Sequence, residues 1–195
     1  FSIEDSLLTV DDIVSLAQKS NMQSVALTDI GNVFALVKFY QAARKKKIKP
    51  IVGAELRIID SKSVDDVSAA EQSQRKTYRL IILCQDKQGY MSLSTLMTQS
   101  FMSGQIHGVP HINRAWLTPE STKGLIAIEP GFSGFSATHA IAEVDDLQPW
   151  LSLFPNRYYL GIHRLQTEAC MRWEKQLRQL CAQKTLPVVA LNYVC

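Results

Sequence analysis

The chain has 195 residues, of which 46% are hydrophobic and 20% are charged. This length and apolar content favour one globular domain with a sizeable core. The balance of 21 Lys and Arg against 18 Asp and Glu, a formal net charge of +3, is too even to indicate a nucleic-acid surface by itself. No apolar run approaches the roughly 18 residues that a membrane span requires.

Thr9 and Asp12 have the spacing of a capping box, which predicts a first helix over about residues 10–20. The next run, "SVALTD", predicts a short strand ending at Asp29. Asn32 is predicted to cap a second helix, because apolar residues recur at helical spacing after it. Pro50 then forces an extended start to the strand "IVGAELRII". The basic run that closes the second helix, residues 44–47, is either a solvated helix end or a phosphate contact.

The remainder of the chain continues the alternation of strands and helices. Strand patterns occur in "YRLIILC", "GLIAIE", "RYYLGIH" and "LPVVALN", and helical patterns in "YMSLSTLMTQSFM", "DDLQPWLSLF" and "EACMRWEKQLRQLCAQK". This alternation indicates a parallel α/β architecture of six strands with helices on the outer face, either barrel-like or doubly wound. The polar residues of about 60–77 are interpreted as a loop insertion within a single domain spanning residues 1–195.

The four cysteines show no C-x-x-C spacing, which favours a reduced, cytoplasmic protein. They are Cys84, Cys170, Cys181 and Cys195. The chain also lacks an initiator Met, so we interpret it as a piece of a longer protein.

In β/α barrels the chemistry lies at the carboxyl ends of the strands. The residues at these predicted ends are Asp29, Ile30, Glu55, residues 129–131, His163 and residues 193–195. A hydrolytic metal centre needs His, Asp and Glu side chains, and this set contains few of them. Asp5 and Glu55 are either metal ligands or carboxylates that accept hydrogen bonds from loop N–H groups. Asp29 is more simply a turn former, and His163 a satisfied or solvent-facing histidine.

One segment has a recognisable pattern. "TDIGNVFALVKFYQAARKKKIKPIVGAEL" closely resembles T-D-H-G-N…F-Y…A…G-I-K-P-I-x-G-x-E of the polymerase-and-histidinol-phosphatase (PHP) domain in bacterial DNA polymerase III alpha subunits, the C-family replicative polymerases. The similarity continues in "GYMSLSTLMTQSF", "HINRAWL", "GLIAI" and "LPVVALNYVC". The lysine-rich helix end followed by I-K-P-I-V-G-x-E is its most specific part, because it is similar to the polymerase branch rather than to free-standing phosphatases.

The resemblance implies a PHP-type distorted seven-stranded (β/α)7 barrel whose first strand, with an H-x-H motif, lies upstream of Phe1. PHP domains hold up to three metal ions with His, Asp, Glu and Cys ligands, and Asp5 and Glu55 match two ligand positions. The other positions are degenerate: Ile30, Arg79, Ser100 and Tyr193 replace polar ligands, Gly131 replaces the cysteine, and Cys195 replaces the final histidine. Isoleucine offers no lone pair, and arginine places a fixed positive charge where a dication would lie.

The implied function is therefore a catalytically silent PHP domain that holds no cofactor and binds the separate proofreading exonuclease subunit, epsilon, within the replicase. The polymerase palm, fingers and thumb, with their expected Mg²⁺, lie outside this chain, and DNA is contacted mainly through them. The alternative is a metal-dependent 3′–5′ exonuclease or phosphoesterase that uses Asp5, Glu55 and upstream histidines. We further expect Arg79 to pair with Glu55 or Asp5 at the barrel mouth.

Overall fold

The computed structural model describes residues 8–60, 77–134, 137, 144–163, 167–183 and 185–191, with the backbone alone at positions 132 and 144. Its α-helices are α1 Val10–Lys19, α2 Leu36–Lys45, α3 Lys87–Ser103, α4 Gln148–Leu153 and α5 Glu168–Gln183. Its strands are β1 Ser24–Leu27, β2 Lys49–Ile59, β3 Thr77–Cys84, β4 Gln105–Ile106, β5 Val109–Pro110, β6 Ile112–Asn113, β7 Leu125–Glu129, β8 Tyr158–Ile162 and β9 Val188–Ala190.

A curled sheet with the order β1-β2-β3-β7-β8-β9 forms half of a barrel, and β6 pairs with the end of β2. The six strands predicted from the sequence are all present in it. The predicted α/β architecture is confirmed, but its parallel arrangement does not hold for β3, which runs antiparallel to both β2 and β7. The last residue of β2, Ile59, pairs with the first residue of β3, Thr77. The two strands therefore run in opposite directions, as in a hairpin. The predicted insertion lies mostly in residues 61–76, outside the described part of the chain.

The main core lies on one face of this sheet. In the paired middle of β2 and β3 the even-numbered residues face this core and are at most 1% exposed, among them Leu56, Ile58, Leu80 and Ile82. Helices α3, α4 and α5 cover them with Leu93, Leu96, Trp150, Trp173 and Leu177. Because side chains alternate along a strand, the odd-numbered residues of β2 and β3 lie on the opposite, inner face. The inner face is therefore where strand residues can build a site.

A second, smaller cluster packs the first two helices against the start of the sheet. It contains Val14, Ala17, Phe39, Ala43 and Ile48, with Val25 and Leu27 of β1 packed against it. The predicted capping box is confirmed: the Thr9 hydroxyl accepts from the Asp12 N–H at 3.2 Å, and the Asp12 carboxylate accepts from the Thr9 N–H at 3.1 Å. This cap fixes the start of α1.

The predicted cap at Asn32 is wrong. Helix α2 begins at Leu36, and its N-cap residue, Ala35, makes no side-chain bond. The Asn32 amide instead donates to the Ile30 carbonyl at 3.0 Å and accepts from the Phe34 N–H at 3.1 Å. Short polar side chains often bond nearby backbone in this way, in competition with a helix start. Asn32 thus holds the turn that presents Ile30.

Cys84, Cys170 and Cys181 are free thiols, as predicted, while Cys195 lies outside the described residues. Within the part of the chain that the structure describes, no helix combines the length and the apolar character needed to cross a membrane.

Candidate functional site

Ile30 and Glu55 lie side by side on the inner face of the sheet. The two residues form a parallel β-bridge, with the Glu55 N–H donating to the Asp29 carbonyl at 3.0 Å and the Gly31 N–H donating to the Glu55 carbonyl at 2.8 Å. This bridge continues the register in which Leu27 pairs with Val52. The position that carries histidine in the T-D-H-G motif is therefore adjacent to the retained Glu55.

Arg79 completes this group from the neighbouring strand. The Arg79 guanidinium donates to the Glu55 carboxylate at 3.0 Å, and this confirms the predicted pairing. The carboxylate side chain is only 6% exposed, whereas the arginine side chain is 34% exposed. The ion pair is therefore buried at its negative end and open to water at its positive end.

Gly131 and His163 approach the same site from the ends of β7 and β8. A Cβ atom at Gly131 would lie 2.8 Å from the His163 ring, and Gly131 has a positive φ of +63°. His163 is 3% exposed and interacts electrostatically with the Glu55 carboxylate. Burial lowers the pKa of His163, against the opposing effects of the Leu191 backbone and of Glu55. The imidazole thus lies against the position where the family has a cysteine.

These residues do not fit a multinuclear metal centre. Ile30 and Gly131 supply no donor atoms, and the Glu55 carboxylate is engaged by a guanidinium. Among the described residues no group of three or more His, Cys, Asp and Glu side chains is placed to share a metal ion. Asp5, Tyr193 and Cys195, the other predicted positions, lie outside the described residues.

Other residues that were predicted for the site have different surroundings. Glu129 is fully buried on the helix-covered face, where it accepts a hydrogen bond from the Tyr158 hydroxyl. Burial and the Glu129 charge raise the pKa of that hydroxyl. The Ser100 hydroxyl donates to the Met97 carbonyl of its own helix at 2.7 Å. Asp29, the residue before Ile30, is buried, and its backbone carbonyl accepts from the Glu55 N–H.

Sequence reasoning missed Arg57. It lies on β2, directly opposite Arg79 of β3 and two residues from Glu55, and all three side chains belong to the inner face. The alternation in "GAELRII" carried this signal, because Leu56 and Ile58 are the buried neighbours on either side. The inner face thus carries two arginines and one glutamate on adjacent strands.

The sequence matches the PHP domain family over residues 1–165. It is 35% identical over 148 residues to the DNA polymerase III subunit alpha of Chlamydia trachomatis. This match covers 76% of this chain and 12% of that protein. The subunit alpha of Pseudomonas aeruginosa is 29% identical over 200 residues, covering 100% of this chain and 16% of the relative. The chain thus spans a small part of the length of these relatives.

A crystal structure described as a metal-dependent phosphoesterase from Bifidobacterium adolescentis has the same fold. Its TM-score is 0.57 over 97% of this chain and 83% of that chain, at 11% sequence identity. At this identity the likeness concerns the fold alone. The family match over most of the chain confirms the resemblance found in the sequence. The chain belongs to the PHP domain family.

Proposed function

We propose that this chain is the PHP domain of a DNA polymerase III alpha subunit, that it has no nuclease activity, and that it binds the proofreading exonuclease subunit, epsilon. The observation that carries the proposal is the Arg79–Glu55 ion pair, whose two residues stand where the sequence resemblance places metal ligands of the family. The relatives of this chain are DNA polymerase III alpha subunits, and this supports the proposal that the chain belongs to a replicase. The protein would then act in the cytoplasm, beside the other replicase subunits.

The ion pair supports an inactive site for an electrostatic reason. A dication next to Glu55 would meet the fixed positive charge of Arg79 at hydrogen-bond distance from the carboxylate. Arginine stays protonated at any pH that a protein survives, so this repulsion does not relax. DNA contact and Mg²⁺ chemistry in the whole protein would then belong to its polymerase domains.

A group of exposed apolar side chains supports a docking role. The rings of Phe34 and Phe101 are in contact, with centroids 6.5 Å apart. Phe34 is 77% exposed, Val37, three residues further along the chain, is 68% exposed, and Met102, the residue after Phe101, is 79% exposed. We name these four residues the Phe34 patch. Contiguous exposed apolar side chains are typical of protein interaction sites.

A binding titration tests the docking role. Purified proofreading exonuclease subunit is titrated against the full-length chain and against the patch variants Phe34→Ser and Met102→Ser. We expect each variant to weaken binding about tenfold or more, as loss of an apolar anchor does. Met171→Ser is the matched control, because Met171 is also exposed, at 61%, but lies on α5. Equal binding by the patch variants and the control would place the partner elsewhere, and absence of binding by the folded wild-type chain would refute the role.

A nuclease assay tests the absence of activity. The full-length chain is incubated with single-stranded DNA and added Mn²⁺ or Zn²⁺, beside its Glu55→Ala variant. We expect no cleavage above background from either protein. Metal-dependent cleavage that Glu55→Ala abolishes would overturn the proposal in favour of a metal-dependent exonuclease.

A further inference from the structure

The basic run at the end of α2 belongs to a segment whose positive charge is not balanced. Residues 13–54 contain seven Lys and Arg side chains against one carboxylate, the buried Asp29, whereas the whole chain has a formal net charge of only +3. One of these cations, Lys38, pairs with Asp11. Five others are exposed and form no ion pair within the described ranges: Lys19, Arg44, Lys45, Lys47 and Lys49. We name these five residues the basic edge.

The basic edge lies where β1 and β2 begin, away from the candidate site. Ser24 at the start of β1 pairs with Lys49 at the start of β2, and the Lys49 N–H donates to the Gln23 carbonyl at 2.9 Å. Because short connections join α1 to β1 and α2 to β2, the carboxyl ends of both helices lie at this edge of the sheet. Glu55 lies six residues further along β2, about 20 Å away at the rise of a strand. The two sites are therefore separate.

Lys47 holds its charge in a backbone conformation that lysine seldom adopts. It has a φ of +58° directly after the C-cap of α2. The Lys47 N–H donates to the Arg44 carbonyl at 3.1 Å, and the Ile48 N–H donates to the Ala43 carbonyl at 2.9 Å. This is the Schellman pattern, in which the left-handed residue is usually glycine. The fold thus keeps a cation at a position where glycine would cost less.

The other left-handed residues show how unusual this lysine is. The described non-glycine residues with a positive φ are, besides Lys47, Asn21, His107 and Asn156. Asn and His are enriched in the left-handed region, whereas lysine is not. A strained residue that the fold retains points to a use for its side chain.

The helix dipole does not account for the whole basic edge. Arg44 and Lys45 lie in the last turn of α2, where the negative end of the dipole favours cations. These two side chains already meet that preference. It gives no reason for a third cation at the left-handed position of Lys47, or for Lys49 in β2.

An exposed aromatic ring adjoins the basic edge. Tyr40 is 49% exposed and lies on α2 four residues before Arg44, so the two side chains are neighbours on one helix face. Within the described part of the chain, no ring or cation–π contact involves Tyr40. Its ring is therefore available for stacking from the solvent side.

We propose that the basic edge and Tyr40 bind a single-stranded nucleic acid, with its phosphates held by the cations and one base stacked on the Tyr40 ring. A single strand presents regularly spaced negative charges and unpaired bases, and proteins bind it by combining cations with aromatic rings. An acidic peptide supplies charges without bases, and the bases of a duplex are already stacked on one another. This contact adds to those that the polymerase domains would make. It does not rest on the docking role, because none of its residues belongs to the Phe34 patch.

Fluorescence anisotropy of a labelled oligothymidine, titrated with the full-length chain at several salt concentrations, tests the site. The first variant is Lys47→Gly, which is expected to fold because glycine suits the left-handed position. We expect it to raise the melting temperature and yet to weaken binding several-fold. The slope of log affinity against log salt should become shallower by about 0.7, the share of one phosphate contact on a single strand.

Asn156→Gly is the matched control for this variant. Asn156 is exposed and also has a φ of +58°, but it carries no charge and does not belong to the basic edge. Its replacement should leave both the affinity and the salt slope as in the wild type. An unchanged affinity and slope in Lys47→Gly would overturn the proposal.

The stacking role of Tyr40 is tested separately with Tyr40→Ser. We expect this variant to weaken binding about fivefold or more, as loss of a stacked base does, without changing the salt slope. Tyr90→Ser is the control, because Tyr90 is also exposed, at 41%, but lies on α3. Equal binding by Tyr40→Ser and Tyr90→Ser would refute the stacking.

Competition at constant ionic strength decides the kind of ligand. We expect unlabelled oligothymidine to displace the label from the wild-type chain far better than polyglutamate or a duplex of the same length does. Displacement by polyglutamate or by the duplex that is as efficient as displacement by the single strand would overturn the assignment to single-stranded nucleic acid.

Discussion

At the scale of single residues, the two ends of the Arg79–Glu55 pair differ in their access to water. We expect Arg79→Met to lower the free energy of unfolding by about 3 kcal/mol, because it leaves the Glu55 carboxylate, 6% exposed, without its partner. Glu55→Gln should cost only about 1 kcal/mol, since the guanidinium is one-third exposed and regains water. Urea denaturation of both variants measures the difference.

The double variant, Arg79→Met with Glu55→Gln, is the control for this comparison. It should lose less stability than the sum of the single variants, because neither charge is then left alone. A larger loss from Glu55→Gln than from Arg79→Met would contradict the assigned asymmetry.

Cys84 gives a prediction on pH dependence. Burial, with a smaller contribution from the Asp86 charge, raises the pKa of the Cys84 thiol to about 11. Only the thiolate reacts with alkylating agents, so its reaction rate should rise about tenfold per pH unit between pH 8 and 10. Mass spectrometry of the Cys84 peptide after timed iodoacetamide treatment measures this rate. A rate that levels off below pH 9 would show an ordinary thiol.

At the scale of an element, Gly89 in the first turn of α3 is a helical glycine whose replacement by alanine is expected to destabilise the protein. Glycine to alanine inside a helix normally stabilises it by about 1 kcal/mol. Here a Cβ atom would lie 2.0 Å from the Gly124 carbonyl oxygen, which belongs to the loop before β7. We expect Gly89→Ala to destabilise the protein by about 1–3 kcal/mol, as overpacking does.

Thermal or urea unfolding measures this cost, with Gln88→Ala as the control at the neighbouring, exposed position. The control should change stability by less than about 0.5 kcal/mol. A Gly89→Ala variant that is more stable than the wild type would contradict this prediction, because the close contact between α3 and the loop before β7 would then not resist the added methyl group.

At the scale of the whole molecule, the mixed sheet brings Ile30, Glu55 and Arg79 together, and this group lacks the donors that a metal cluster needs. We expect the purified full-length chain to carry no stoichiometric cluster at this site, and chelator to leave the melting temperature of the domain unchanged. Mass spectrometry of metal content on the wild-type protein and on its Glu55→Ala variant measures this. Two or three Zn, Mn or Fe ions per chain that the variant loses would refute it.

The sequence by itself determined the alternation of elements, the capping box at Thr9 and the family, because these depend on local spacing and on motif order. The resemblance also predicted degenerate ligand positions, and Ile30 and Gly131 supply no side-chain donor atoms in any fold. The sequence did not show that β3 runs antiparallel, because a pattern of buried residues is the same in either strand direction.

Only the tertiary structure decided which side chains meet. Glu129 is the last residue of β7, and the alternation within this strand turns it to the helix-covered face. The sequence gives no neighbour for His163, because its proximity to Gly131 depends on the pairing of β7 with β8. Arg57 and Arg79 are 22 positions apart along the chain and become neighbours only through the β2–β3 register. Register is a property of strand pairs, and for that reason the charge of the inner face could not be read from either strand alone.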